Sequence, residues 1–277
     1  MQVIKTGFSG NKSNRVKEIA ELTRNGKYTR IVEIFGGSCV ISNNLLKEKI
    51  VEEAIANDYD HYFDNFEEHI HFKENFIEKL LKLGLEKSKE RRMSKEHQEV
   101  VQNSLKDKDK NLLKYLSKNF VFSSKRAAAE IKIKDFIYFT NDITIEKDLE
   151  YIKHLKNVKL DSLDYKEFIE KYINAGDRKT LVVVDPPYLN SSQKQYGDEF
   201  FGLEKTIKLL NSLKEKRNDF IFFNQIKEDS IELLKLYDFN FEYNTRVSYM
   251  SAGRKREDFM AHIKFSEVAN NEWVTSI

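Results

Sequence analysis

The two prolines of this chain stand together in Asp185-Pro186-Pro187-Tyr188, directly after the apolar run Leu181 to Val184. Proline lacks the amide hydrogen of a sheet ladder and fixes its own φ. A strand over 181–184 must therefore end there, with its next carbonyls held stiffly. In open α/β sheets ligands bind just outside the carboxyl ends of strands. A carboxylate, a rigid carbonyl and a phenol ring would then project into a binding edge. The Asp185 carboxylate and the Pro186 carbonyl can each accept a hydrogen bond from one amine. An amine conjugated to an aromatic ring is a poor nucleophile, because its lone pair is delocalised. Drawing its hydrogens onto fixed acceptors turns that lone pair toward an electrophile on the other side. Tyr188 offers a flat face on which such a ring can stack. On these four residues alone the alternative is a plain turn, with Tyr188 packed in the core.

Other segments carry compatible chemistry. Ile31-Val-Glu-Ile-Phe-Gly-Gly-Ser-Cys39 reads as a strand entering a tight glycine turn, followed by a helix from Val40 to Lys49. Glycine permits the turn and lets backbone approach a ligand closely. Ala54-Ile-Ala-Asn-Asp58 ends a second strand with an acid roughly 20 residues past the glycines, a placement suited to ribose hydroxyls. The other meaning of Asn57 or Asp58 is a helix N-cap. Asp164, before Tyr165, is equally readable as the cap of a helix over Lys166 to Tyr172. Near the start, Gly7-Phe8-Ser9-Gly10-Asn11-Lys12 places a lysine in a glycine loop.

These residues need a scaffold, and the pattern supplies one. Apolar strands over Leu181 to Val184 and Phe220 to Phe223 alternate with helices over Leu203 to Lys216 and Glu228 to Leu236. Buried strands separated by helices imply a largely parallel sheet covered on both faces. Phe239 to Tyr243 and Met260 to Phe265, with no helix between them, imply an antiparallel hairpin at one edge. Residues 62–160 are rich in Lys, Glu, Leu and Phe. Phe63, Phe66, Ile70, Ile77, Leu80 and Leu81 fall near helical spacing, a further helix is expected over Lys95 to Leu116, and Lys106 to Lys110 reads as a solvated helix face or a turn.

The chain has 277 residues, room for one α/β domain with a smaller subdomain. With 47 basic against 45 acidic residues the net charge is +2, so nucleic-acid binding would need basic residues concentrated locally. The longest apolar runs are too short to span a bilayer, and MQVIKTGFSGNK lacks the apolar core of a secretory signal. The single cysteine, Cys39, excludes an intrachain disulfide and fits a reducing, cytoplasmic setting. No Cys and His cluster has metal-ligand spacing, so no metal is expected.

Asp-Pro-Pro-Tyr after an apolar strand resembles the catalytic motif of amino-methyltransferases acting on adenine or cytosine. With the glycine turn, Asp58, Asp164-Tyr165 and Lys12 in order before it, the chain is similar to the Dam-type, D12 class DNA adenine-N6 methyltransferase family from Phe8 to about Phe265. Residues 64–118 match nothing in it. The resemblance implies a Rossmann-like S-adenosylmethionine-dependent methyltransferase sheet with helices on both faces and a mainly helical target-recognition subdomain. The division would be 1–61 and 150–277 for the catalytic domain and 62–149 for the helical insertion. It implies catalytic roles for Asp185, Pro186, Pro187 and Tyr188. It implies S-adenosylmethionine contacts for Phe8, Lys12, Phe35, Gly37, Asp58, Asp164, Tyr165 and Asp185. DNA contacts would come from Ser123, Lys125, Arg126, Arg246, Arg254, Lys255 and Arg256. Cys39 stands where the family has a second glycine, and Phe8 where it has tryptophan. The implied partner is double-stranded DNA bearing a flipped-out adenine, with the enzyme a monomer and a cognate restriction endonuclease a candidate companion. The same chemistry on RNA or on the cytosine amine, and a non-catalytic DNA-binding protein of this fold, stay open at this point.

Overall fold

A computed structural model describes residues 1–5, 12–85, 91–122, 131–140, 145–188, 201–226, 228–249 and 255–265. The chain begins with α1 (Val16–Asn25), β1 (Arg30–Glu33), α2 (Val40–Lys47) and β2 (Glu53–Asn57). A mainly helical stretch follows: α3 (Phe66–Lys82), β3 (Arg91–Arg92), α4 (Lys95–Ser104), α5 (Lys110–Phe120), β4 (Tyr138–Phe139) and α6 (Ile145–Leu155). Then come β5 (Lys159–Asp161), α7 (Tyr165–Tyr172), β6 (Thr180–Val184), α8 (Leu203–Lys216), β7 (Phe220–Gln225), α9 (Glu228–Leu236), β8 (Phe241–Tyr249) and β9 (Lys255–Ile263).

One seven-stranded sheet has the order β5-β2-β1-β6-β7-β9-β8. Neighbours from β5 through β7 are parallel, and β9 runs antiparallel between β7 and β8. This is the expected doubly wound sheet with an antiparallel edge. Leu181 to Val184 form an unbroken apolar run because both faces are covered. Leu181 and Val183 join one apolar cluster with α1 and α2, and Val182 and Val184 join the other with α7 and α8. The first cluster continues into α3, α5 and α6. Buried Lys73 of α3 pairs there with Asp148 of α6 at 2.7 Å, and the Tyr115 hydroxyl of α5 donates to the same carboxylate at 2.5 Å. No helix among the described residues is long and apolar enough to cross a membrane.

Several expected elements differ in extent. The helix expected over Lys95 to Leu116 is two helices, because Asp107 turns left-handed (φ +65°) and Asp109 caps a new start. The Asp109 carboxylate accepts the Asn111 and Leu112 amides, both at 2.9 Å, so Lys106 to Asp109 is a turn. The helix from Val40 stops at Lys47, two residues early, where Lys49 takes φ +53°. The edge strand expected over Phe239 to Tyr243 runs from Phe241 to Tyr249, and the strand expected over Met260 to Phe265 runs from Lys255 to Ile263. An edge strand with one wet face keeps few apolar residues to announce it.

Candidate active site

The chain leaves β1 for β2 and β5 on one side and returns to β6 on the other. The carboxyl ends of β1 and β6 therefore flank the topological switch point, where such sheets open a crevice. On the β1 side lies the turn Phe35 to Cys39. The Gly36 amide donates to the Asn57 carbonyl at 3.0 Å, and the Tyr151 hydroxyl of α6 donates to the Ser38 carbonyl. Gly37 and Cys39 both take left-handed backbone, at φ +50° and +52°. Cys39, standing for the expected glycine, thus keeps the turn's shape at a backbone cost of about 1 kcal/mol, with its thiol fully buried.

Gly36 is required for a different reason. A Cβ there would lie 2.7 Å from the Asn57 carbonyl oxygen and 3.0 Å from Cys39 Sγ. Gly36→Ala must push β1 and β2 apart at their ends. The expected result is a loss of about 1–3 kcal/mol in urea unfolding; a variant as stable as the parent would show that the turn yields freely.

Asn57 and Asp58 close the second strand. The Asn57 amide nitrogen donates to the carbonyls of Ile34 and Leu163 at 3.2 and 2.9 Å, and its oxygen accepts the Leu163 amide at 3.0 Å. One side chain so pins the ends of β1, β2 and β5 together. Asp58 is buried, its oxygens accepting the amides of Tyr62 and Phe63 at 3.0 and 2.8 Å. Asp58 therefore caps a turn rather than a helix, since α3 begins only at Phe66 with Asn65 before it. Each oxygen retains a second lone pair, which is what remains for a ribose hydroxyl. Burial pushes its pKa up, against the pull of those amides.

Asp164 caps α7, accepting the Lys166 amide at 3.0 Å. Tyr165 stacks on Phe35 with centroids 6.1 Å apart at 26°, and Phe201 closes on both rings edge-on. The Tyr165 hydroxyl is buried with no hydrogen-bond partner among the described residues.

On the β6 side the Asp185 carboxylate, partly exposed, accepts the Lys12 ammonium in an ion pair. The same ammonium lies 5.5 Å from the Tyr188 ring centroid and 5.2 Å from that of Phe223. Pro186 and Tyr188 are buried and Pro187 half-buried. A donor cation therefore sits against the acceptor and the ring that the sequence singled out, joining residues far apart in the chain.

Glu33 was not singled out. It ends β1 on the face where Ile31, Leu181 and Val183 pack, it is 3% exposed, and its Oε1 accepts the Ser42 amide at 2.6 Å. The signal was an acid interrupting an apolar strand, which reads equally well as an exposed edge. Burial pushes its pKa from 4.5 to about 7, Asp185 adding to the rise and the Ser42 contacts and Lys12 opposing it. The folded state then holds the proton more tightly than the unfolded chain. This stabilises the fold fully below the ordinary value, and the advantage is lost as pH rises through about 7. Over that window the loss is about 3 kcal/mol. Glu33→Gln should therefore gain stability relative to the parent between pH 5 and 8.5 in urea unfolding; a difference that stays constant with pH would contradict this.

Among the residues expected to face DNA, Arg246 lies on β8 opposite Asp258, and its guanidinium donates to the Asn14 carbonyl. Nearby, Arg15 is buried and binds Asn244 of β8 at 2.5 Å, so this corner of the hairpin is tied to the segment carrying Lys12. Lys255 and Arg256 open β9, in register with Tyr249 and Ser248. Phe8, Ser123, Lys125, Arg126 and Arg254 lie outside the described residues.

A family model described as D12 class N6 adenine-specific DNA methyltransferase matches residues 8–252. A putative methyltransferase of Haemophilus influenzae is 28% identical over 215 residues, covering 76% of this chain and 69% of its own. Among solved structures, the chain is similar to a delta-N METTL16 MTase domain, with a TM-score of 0.41 and 10% identity over 92% of this chain and 81% of that one. It is also similar to the N-terminal domain of human METTL16 in complex with SAH, with a TM-score of 0.40 and 10% identity over 92% and 68%.

Proposed function

Because the chain belongs to the D12 class N6 adenine-specific DNA methyltransferase family, we propose that it moves a methyl group from S-adenosylmethionine to the N6 amine of an adenine flipped out of duplex DNA. The observation that carries this is the position of the Lys12 ammonium. A nitrogen donor already lies against the Asp185 carboxylate and the Tyr188 ring, the two groups that would hold an aromatic amine.

The residues at the strand ends fit the cofactor. The stacked pair Phe35 and Tyr165 suits an adenine, and the buried Tyr165 hydroxyl has no partner among the described residues. Asp58 has lone pairs left for a ribose, and Lys12 is within reach of a carboxylate. Bound there, the cofactor supplies an electrophilic methyl group on a sulfonium sulfur. The chain's part is to bind, orient and dry the site. The target amine replaces Lys12 on Asp185 and gives its second hydrogen to the Pro186 carbonyl, which turns its lone pair away from both. Nitrogen–carbon bond formation breaks the carbon–sulfur bond. The amine then carries an extra proton, which it loses readily to Asp185 or water, so no stronger base is needed. Tyr188 keeps the ring in plane.

A base inside a duplex cannot reach Asp185, so the target must swing out. In this proposal the 62–149 segment and the β8–β9 hairpin grip the phosphates and read the neighbouring bases, and the enzyme works in the cytoplasm. Incubation with labelled S-adenosylmethionine and duplex DNA, single-stranded DNA or RNA, followed by hydrolysis and base analysis, tests the proposal. N6-methyladenine in duplex DNA is the expected product. Methylcytosine, label in RNA alone, or no transfer with any substrate would sink it.

A further inference from the structure

We propose that Glu33 is a positioning residue of the methyl-transfer site, acting through the N-terminus of α2 on the turn Phe35 to Cys39; this rests on the function proposed above. The first amides of a helix need acceptors from outside it. In α2 the N-cap residue, Cys39, is left-handed and gives no side-chain cap, and the first turn holds no acid. The acceptor comes instead from the strand before the turn, where Glu33 Oε1 takes the Ser42 amide at 2.6 Å. That bond fastens the chain on one side of the turn to the chain on the other. With the Gly36 amide on Asn57 and the Tyr151 hydroxyl on Ser38, it leaves the turn little freedom.

The placement is costly for the fold alone. Glu33 occupies an inward position of a face that is otherwise apolar, at Ile31, Ala54, Ala56, Leu181 and Val183. A buried carboxyl there is less favourable than a packed aliphatic side chain of similar size. What the carboxyl does for its neighbours is therefore the better account of its presence. Lys12 before α1, Cys39 before α2, Tyr151 of α6 and Asp185 after β6 are close enough to couple to it electrostatically. Glu33 is in register with Val183, and Asp185 follows directly after the end of β6. Glu33 is thus bonded to α2 by the Ser42 amide and lies in the field of Asp185.

Two variants test this with readouts that do not require turnover. Glu33→Gln keeps an acceptor for the Ser42 amide; Glu33→Ala removes it. S-adenosylmethionine affinity is measured by calorimetry, amide exchange across residues 35–42 by mass spectrometry, and thermal midpoint alongside. In Glu33→Ala the affinity should fall about tenfold and exchange across the turn should quicken, and Glu33→Gln should restore affinity to within about threefold. If alanine lowers the thermal midpoint while affinity, measured well below that midpoint, is unchanged, the role is structural only and the proposal is overturned. Equal losses in both variants overturn it too, since the acceptor would then not matter. Parent protein that binds no S-adenosylmethionine would sink the proposed function itself, and this role with it, before either variant is made.

Discussion

Asp185→Ala is expected to lower single-turnover methyl transfer by at least about 10²–10³-fold, the scale on which removal of one preorganised polar partner acts in a water-excluded site. On the proposed function, affinity for DNA should change far less, because phosphate contacts away from this carboxylate would supply most of it. The carboxylate follows β6 and is partly exposed, and in the proposed mechanism it both orients the amine and can receive its proton. Asp185→Asn is a sharper form of the test. Asparagine keeps one accepting oxygen but presents an NH2 group, and a donor facing an amine rotates it away from the methyl group. Its rate should sit near that of alanine rather than near the parent. Filter or fluorescence measurement of DNA affinity beside a rapid-quench assay separates the two effects. A variant transferring methyl at even a tenth of the parental rate would remove Asp185 from the mechanism.

The ion pair complicates that experiment in an informative way. Removing the carboxylate takes this ion pair from the Lys12 ammonium, which is 15% exposed and lies beside two aromatic rings. Losing one member of a part-buried ion pair destabilises through the charge that remains as well as through the missing contact. If Asp185→Ala lowers the thermal midpoint and a Lys12→Met, Asp185→Ala double variant recovers it without recovering transfer, the stability effect belongs to the broken ion pair and the rate effect to the chemistry.

The sequence announced the strand ends better than it announced what joins them. Asp185 to Tyr188 was legible because two prolines can follow a central strand only by ending it, and the glycines after β1 because a tight turn into a helix needs them. The expected sheet and its antiparallel edge followed from apolar runs broken by helices. Other features depend on where strands sit in the sheet. Glu33 and Asn57 are polar residues in apolar strands, and only the register beside β6 and β5 shows them buried and bonded. The Lys12 pair with Asp185 joins residues 173 positions apart, and no local pattern encodes it. The break between α4 and α5 escaped because Leu105 and Leu112 continue the helical spacing across it, while Asp107 takes a backbone angle that periodicity does not report. The mostly polar stretch Asn244 to Ser248 hid the length of β8, for the reason that edge strands need no apolar outer face.

Asn57→Ala should be the most destabilising change at the strand ends. The side chain is 3% exposed and makes three hydrogen bonds, to the Ile34 carbonyl and to both backbone groups of Leu163. Alanine cannot replace any of them, and each buried group left unpaired costs about 1–3 kcal/mol. Water entering the gap recovers part of that, so a net loss of about 3 kcal/mol is expected in urea unfolding. Asn57→Asp discriminates hydrogen bonding from packing, since it keeps the shape and the acceptor for the Leu163 amide. It turns the donor into a charged acceptor facing two carbonyls, beside the Asp58 carboxylate, and should be at least as damaging as alanine at pH 8. It should improve on acidification, when the carboxyl regains a proton to donate. If both variants unfold within about 0.5 kcal/mol of the parent, the level of an ordinary surface substitution, the ends of β1, β2 and β5 are held together by something other than this amide.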